Sequence, residues 1–121
     1  QERLALLETT RDPRVYDSVV RLAENGNIST TRRDELIYNW AAQQPESVDI
    51  VRLMSDISNP EVTSSARATA AMGAAGYAVA VPESRALLDN TLQKIISDGA
   101  LDPGLQQHFQ EALHLMDTSV Q

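Results

Sequence analysis

Three Asx-Pro dipeptides constrain the fold most strongly, because each one predicts where a helix begins. They are Asp12-Pro13, Asn59-Pro60 and Asp102-Pro103. The Asx side chain suits the N-cap position, since its oxygen accepts a hydrogen bond from a backbone N–H that the first turn leaves unpaired. Proline suits the first helical position because it has no N–H to leave unpaired. Apolar residues at helical spacing follow each pair, so we predict a helix from each proline.

The segments between these pairs are also helical by pattern. Ser29, Thr30 and Thr31 offer N-caps for one helix, Pro45 and Pro82 start two others, and Asn25-Gly26 and Asp98-Gly99 are typical helix ends. Only 4% of the residues are aromatic, and alternating β-branched runs are almost absent. We therefore predict an all-α fold in a single domain over residues 1–121, with about six to seven helices. Short loops favour antiparallel helical hairpins.

The spacing of the three prolines suggests a repeat. Pro13, Pro60 and Pro103 are separated by 47 and 43 residues, and a stretch rich in alanine runs from Asn59-Pro60-Glu61-Val62 to Gly73 and Gly76. This period and this stretch resemble the HEAT and armadillo helical repeats. The resemblance implies a short stack of helix pairs with a concave face that binds a protein or peptide. Thr63 stands where the repeat often has arginine, and an irregular helical bundle is the alternative.

The net charge and the hydropathy of the chain limit the classes of partner that it is expected to bind. The net charge is -7, which disfavours nucleic acid and anionic membranes as partners. No stretch is long and apolar enough to span a bilayer, and no signal peptide is visible. Because the chain begins with Gln1 rather than Met, we expect that a signal sequence, a leader or a neighbouring domain was removed. The compartment stays open between the cytoplasm and export.

The sequence contains no strong motif for catalysis, metal binding or phosphate binding. The chain has no cysteine, which removes thiol catalysis and Cys-type zinc sites. His108-x-x-Glu111-x-x-His114 is the best constellation for a metal, but the two histidines point about 120° apart on a helix, so they do not chelate one ion easily. No glycine pattern predicts a phosphate loop. We therefore predict no catalytic residue, no metal site and no cofactor.

The candidate binding residues come from the first two full helices. Arginine and the aromatic residues are frequent in protein interfaces. Trp40 follows Leu36 and Ile37 at core spacing, so we expect it to be buried. The predicted partner-binding residues are Arg14, Tyr16, Arg32, Arg33 and Tyr38.

The sequence thus favours a protein-interaction module, such as an adaptor, a regulatory subunit or an inhibitor, whose partner is another protein. One alternative is nucleic-acid binding through the N-terminal face that bears the arginines. The other is an enzyme or small-ligand site that the sequence does not reveal.

Overall fold

A computed structural model describes residues 14–99 and 101–118 of the chain, with the backbone alone at 117 and 118. These residues form six α-helices and two short 3₁₀ helices, Pro45–Ser47 and Pro82–Ser84, and they contain no strand. The all-α prediction is therefore confirmed for the described part of the chain. The helices are α1 (Val15–Glu24), α2 (Thr30–Gln43), α3 (Ile50–Ser58), α4 (Ser64–Ala80), α5 (Arg85–Ser97) and α6 (Pro103–Thr118).

Several predicted helix ends are confirmed by their hydrogen bonds. Gly26 has a φ of 76°, and the N–H groups of Gly26 and Asn27 donate to the carbonyls of Ala23 and Leu22. This is the Schellman ending, which needs a residue with positive φ and so favours glycine. Helix α6 begins at Pro103 as predicted, and the Asp102 carboxylate accepts from the N–H of Leu105 at 2.9 Å.

Other predicted starts are wrong. We predicted a helix from Pro60, but Asn59 and Pro60 form a turn in which the Asn59 side chain accepts from the N–H of Glu61. Thr63 is the N-cap of α4 instead, and its side chain accepts from the N–H of Ala66. Pro45 and Pro82 likewise begin 3₁₀ turns, and the α-helices α3 and α5 start only after them. The predicted start at Pro13 lies outside the described residues.

Helix α4 lies at the centre of the fold. It packs against each of the other five helices of the described chain. Its buried residues are Ala68, Thr69, Ala70, Ala71, Met72, Gly73, Ala74, Ala75, Gly76 and Ala78. Small side chains allow close approach: a methyl group on Gly76 would overlap the backbone carbonyl of Tyr38 in α2. The alanine and glycine content therefore reflects helix packing.

The larger core side chains come from the surrounding helices. Those buried most completely include Val19, Leu36, Ile37, Trp40, Leu53, Ile57, Leu88, Leu92, Phe109 and Met116. They form one hydrophobic core with the alanines of α4. Trp40 is only 1% exposed, so its predicted burial is confirmed.

Helices α2, α4 and α6 begin at the same end of the molecule. Arg33 near the start of α2 contacts Ser65 near the start of α4, and it also contacts His108 in the first half of α6. The C-terminus of α1 lies at the same end of the molecule, because Glu24, its last residue, accepts a hydrogen bond of 2.7 Å from the hydroxyl of Thr63, the N-cap of α4. Successive helices α1 and α2 therefore run in opposite directions, as the short loop between them predicts. The regular stack of helix pairs stays a prediction.

None of the helices within residues 14–99 and 101–118 combines the length and the apolar character needed to cross a lipid bilayer.

Candidate functional site

A cleft between α1, the C-terminal half of α2 and the start of α3 is the candidate functional site. Its internal volume is about 140 Å³. The residues that line it are Arg14, Tyr16, Asp17, Trp40, Val48, Asp49, Arg52 and Leu53. Three of these side chains, Trp40, Val48 and Leu53, are apolar and partly or fully buried, so they form a floor. The charged side chains form the rim.

Local sequence explains how α3 contributes to the cleft. The 3₁₀ turn Pro45–Ser47 ends α2 and redirects the chain, and Asp49 then caps α3 by accepting from the N–H of Arg52 at 3.2 Å. Leu53 and Ile57, four residues apart, face the core from this helix. Arg52 consequently lies on the side of α3 that faces α1.

Arg52 and Asp17 bridge the cleft, and we call them the outer pair. Two nitrogens of the Arg52 guanidinium donate to the two carboxylate oxygens of Asp17, with Nη1 at 2.9 Å from Oδ2. The two side chains remain 47% and 38% exposed. The hydrogen bond from Arg52 lowers the pKa of Asp17, and the same bond raises the pKa of Arg52. The outer pair therefore holds a charged arginine in a defined position beside the cleft.

Tyr16 connects the cleft to the core. Its hydroxyl donates to Asp56 Oδ2 at 2.8 Å, and the guanidinium carbon of Arg52 lies 5.1 Å from the centre of its ring. The residue is only 3% exposed. Burial raises the pKa of Tyr16, and the hydrogen bond to Asp56 raises it further. The hydroxyl stays protonated and fixes the ring below Arg52.

Arg33 and Asp34 form a second arginine–aspartate contact, which we call the inner pair. Arg33 Nη2 lies 2.9 Å from Asp34 Oδ1, and the two side chains are only 3% and 14% exposed. Arg33 Nη1 donates to Ser65 Oγ at 3.3 Å. Burial raises the pKa of Asp34 although Arg33 opposes this shift. The inner pair thus joins α2 and α4 below the surface.

His108 completes the inner pair from α6. Its Nδ1 lies 3.0 Å from the carbonyl oxygen of Gly104, which can only accept, so Nδ1 donates. In the neutral ring Nε2 then accepts from Arg33 Nη2 at 3.2 Å. His108 is therefore a packing and hydrogen-bonding residue of α6. In the described part of the chain, no group of three or more His, Asp or Glu residues is placed to hold a metal ion.

The five residues predicted to bind a partner do not form one surface. Arg14 and Tyr16 line the cleft at the start of α1. Arg33 is buried and lines a groove at the opposite end of α1, beside Glu24. Arg32 Nη1 lies 3.7 Å from Glu35 Oε1 on the exposed side of α2. Tyr38 is half-buried and packs against the core. The structure thus brings only Arg14 and Tyr16 together.

Sequence reasoning missed most of the cleft. Arg52, Asp17 and Asp49 are charged residues on helices whose exposed faces carry many charges, so no local signal distinguishes them. The burial of Arg33 did have a signal, because it precedes Leu36, Ile37 and Trp40 by three, four and seven residues, which is the spacing of one helix face.

No protein-family model, no curated protein and no solved structure matches this chain. Its function is therefore inferred from the geometry of its own residues.

Proposed function

We propose that this chain is a protein-interaction module that acts as an adaptor, a regulatory subunit or an inhibitor, and that the cleft is where its partner binds. The observation that carries the proposal is the composition of the cleft. An apolar floor formed by Trp40, Val48 and Leu53 is surrounded by a rim of arginines and aspartates. Protein interfaces have this arrangement, with a desolvated apolar centre and a polar rim.

The size of the cleft supports a protein partner over a small molecule. Small-molecule sites usually enclose about 300–1,000 Å³. The cleft holds about 140 Å³, and a cavity of about 150 Å³ accommodates one benzene molecule. A single apolar side chain of a partner therefore fits the cleft, while the rest of that partner covers the rim.

The rigidity of the rim also supports the proposal. Arg52 is held by Asp17 and lies over the Tyr16 ring, so it loses little conformational entropy when a partner covers it. The resemblance to HEAT and armadillo repeats belongs to the same proposal, in which a helical-repeat surface presents the cleft as its concave binding face.

The proposal is tested by a substitution that fills the cleft, and the readout is whether the chain still captures its partner. Val48 is half-buried in the cleft, and Val48→Phe adds volume there. Leu87 on α5 is 59% exposed and lies outside the cleft, so Leu87→Phe is the matched control. The wild-type chain and both variants are used to capture partners from an extract of the source organism at low and moderate salt. Thermal melting checks that both variants fold.

We expect a protein that the wild type and Leu87→Phe retain and that Val48→Phe loses. Trp40 is the only tryptophan of the chain, so its fluorescence should also change when the purified partner is added. Equal capture by both variants would mean that the cleft is not the binding site. Capture of nucleic acid alone, lost at moderate salt, would contradict a protein partner.

A further inference from the structure

The chain contains five asparagines, and only Asn25 precedes a glycine. Asn25 is the C-cap of α1, and both Asn25 and Gly26 are exposed. The side-chain carbonyl carbon of an asparagine can be attacked by the backbone nitrogen of the residue that follows it. Glycine hinders this attack least, because it has no side chain beside that nitrogen. The pair Asn25-Gly26 therefore offers the least hindered approach for this reaction.

The other four asparagines are less favourable. Asn39 and Asn90 lie inside α2 and α5, where the backbone N–H of the next residue belongs to the hydrogen bonds of the helix. Asn59 precedes a proline, whose nitrogen carries no hydrogen to lose. Asn27 precedes an isoleucine, whose β-branched side chain crowds the attacking nitrogen. Both the sequence and the structure thus distinguish Asn25.

The turn that ends α1 restrains Asn25 in the folded chain. The N–H of Gly26 donates to the carbonyl of Ala23 at 3.1 Å, and the N–H of Asn27 donates to the carbonyl of Leu22 at 2.9 Å. Because ψ of Asn25 is -1°, the Gly26 nitrogen eclipses the backbone nitrogen of Asn25 and does not face its side chain. The attack therefore requires the turn to open. Helix ends open at a small free-energy cost, so the open form is populated.

We propose that Asn25 is a site of spontaneous deamidation, and that opening of the C-terminal turn of α1 controls its rate. The Gly26 nitrogen bonds to Cγ of Asn25, and the bond from Cγ to the side-chain nitrogen breaks. The proton of the Gly26 nitrogen passes through water to the leaving nitrogen, which departs as ammonia. The cyclic imide then adds one water molecule, and one of its two carbonyl C–N bonds breaks. Position 25 becomes aspartate or isoaspartate.

Both products alter the end of α1. Each adds a negative charge next to Glu24 at the C-terminus of the helix, where the helix dipole disfavours anions. Isoaspartate also adds a methylene group to the main chain, which moves the Gly26 N–H away from its acceptor. Glu24 accepts the hydrogen bond of Thr63, the N-cap of α4, so the change also affects the start of α4. The cleft lies at the opposite end of α1, and we expect it to stay intact.

The test incubates the wild-type chain at mildly alkaline pH, where the attacking nitrogen loses its proton more readily. Peptide mapping by mass spectrometry follows the replacement of each amide by a carboxyl group. We expect Asn25 to react before the other asparagines. It should react about 2- to 10-fold more slowly in the folded chain than in the same chain unfolded in guanidinium chloride, because only the end of α1 has to open. The emission of Trp40 checks that the chain stays folded.

Two variants test the role of the turn. Glu24→Ala removes the acceptor of Thr63 and should raise the rate in the folded chain about two- to five-fold, because the end of α1 then opens more often. Glu83→Ala is the matched control, since Glu83 follows the C-terminus of α4 and Thr63 precedes its N-terminus. It should leave the rate unchanged. Neither variant should alter the rate in the unfolded chain.

A third variant connects the reaction to stability. The melting temperature of the wild-type chain should fall by a few degrees as the modified fraction grows, and Asn25→Ala should show no such decline. Earlier reaction at another asparagine, or an unchanged Asn25 in the folded chain after the unfolded chain has reacted fully, would overturn the inference. Equal rates for folded Glu24→Ala and Glu83→Ala would contradict control by the turn. All of these outcomes are independent of whether the cleft binds a partner.

Discussion

The outer pair and the inner pair contain the same two residue types, but their surroundings give them opposite properties. Arg52 and Asp17 are 47% and 38% exposed, and the pKa of Asp17 is lowered. Arg33 and Asp34 are 3% and 14% exposed, and burial raises the pKa of Asp34 in spite of its arginine. Near water the attraction between the charges exceeds the cost of removing them from solvent, whereas in the interior that cost is larger. Contact between opposite charges therefore does not by itself show that a pair stabilises the fold.

The largest expected difference appears when each arginine is removed. Arg33→Met leaves Asp34 buried without its partner and also removes bonds to Ser65 and His108. Breaking a buried pair in this way costs about 3–5 kcal/mol of unfolding free energy. Arg52→Met is the control and should cost at most about 1 kcal/mol. Urea unfolding of both variants measures the two losses, and equal losses would mean that burial does not distinguish the pairs.

The next largest effect shows whether the loss of stability in Arg33→Met comes from the unpaired charge of Asp34. The double variant with Arg33→Met and Asp34→Leu replaces both charges with apolar groups. Such replacements are often neutral or stabilising, so we expect the double variant to regain about 2–4 kcal/mol relative to Arg33→Met alone. If chemical denaturation shows no recovery, the hydrogen bonds of Arg33 to α4 and α6 matter more than the charge of Asp34.

The two aspartates should respond to pH with opposite signs. The folded-state pKa of Asp17 lies below its unfolded value of 3.8, so its stabilisation is present above about pH 3.8 and is lost as the pH falls through the folded pKa. The folded-state pKa of Asp34 lies above 3.8, so its contribution to stability falls as the pH rises from 3.8 through the folded pKa.

The stability difference between the wild type and Asp17→Asn should therefore grow as the pH rises through the acid range. The difference between the wild type and Asp34→Asn should shrink over the range just above 3.8. Urea melts at several pH values provide the measurement, and parallel slopes for the two variants would contradict the assigned environments.

The smallest effect is the response to salt. The outer pair is partly exposed, so about 0.5 M NaCl should screen most of its small contribution, and the cost of Arg52→Met should approach zero. The cost of Arg33→Met should change little because the side chain of Arg33 is only 3% exposed, and buried pairs are screened much less than exposed ones. A cost of Arg33→Met that falls with salt as steeply would indicate that water reaches the inner pair.

The sequence predicted the helices far better than it predicted the cleft. Local sequence signals were correct where hydrogen bonds between neighbouring residues set the helix end, as at the Asp102-Pro103 start and at the Asn25-Gly26 ending. They failed at Asn59-Pro60 because an Asx turn and a helix start use the same two residues, and the Thr63 cap four residues later competes for the helix start. The cleft depends on which faces of α1, α2 and α3 meet, and periodicity does not specify these contacts. Tyr16 shows this, because it is only 3% exposed and its hydroxyl donates to Asp56 of α3, a contact that no local pattern specifies. The predicted roles of Tyr16 and Arg33 in partner binding stay predictions.

The composition of α4 has a consequence for how this domain tolerates sequence change. Alanine and glycine have almost no side-chain rotamers to lose on burial, so α4 enters the core at a small entropic cost. In return its buried alanines and glycines offer almost no atoms to remove and little space for new ones, as the overlap of a methyl group on Gly76 with Tyr38 shows. Substitutions in α4 should fail by adding volume, whereas those at Leu36, Leu53 or Phe109 should fail by removing it. We therefore expect homologous sequences to keep small residues at the buried positions of α4 and large apolar residues at the core positions of the surrounding helices.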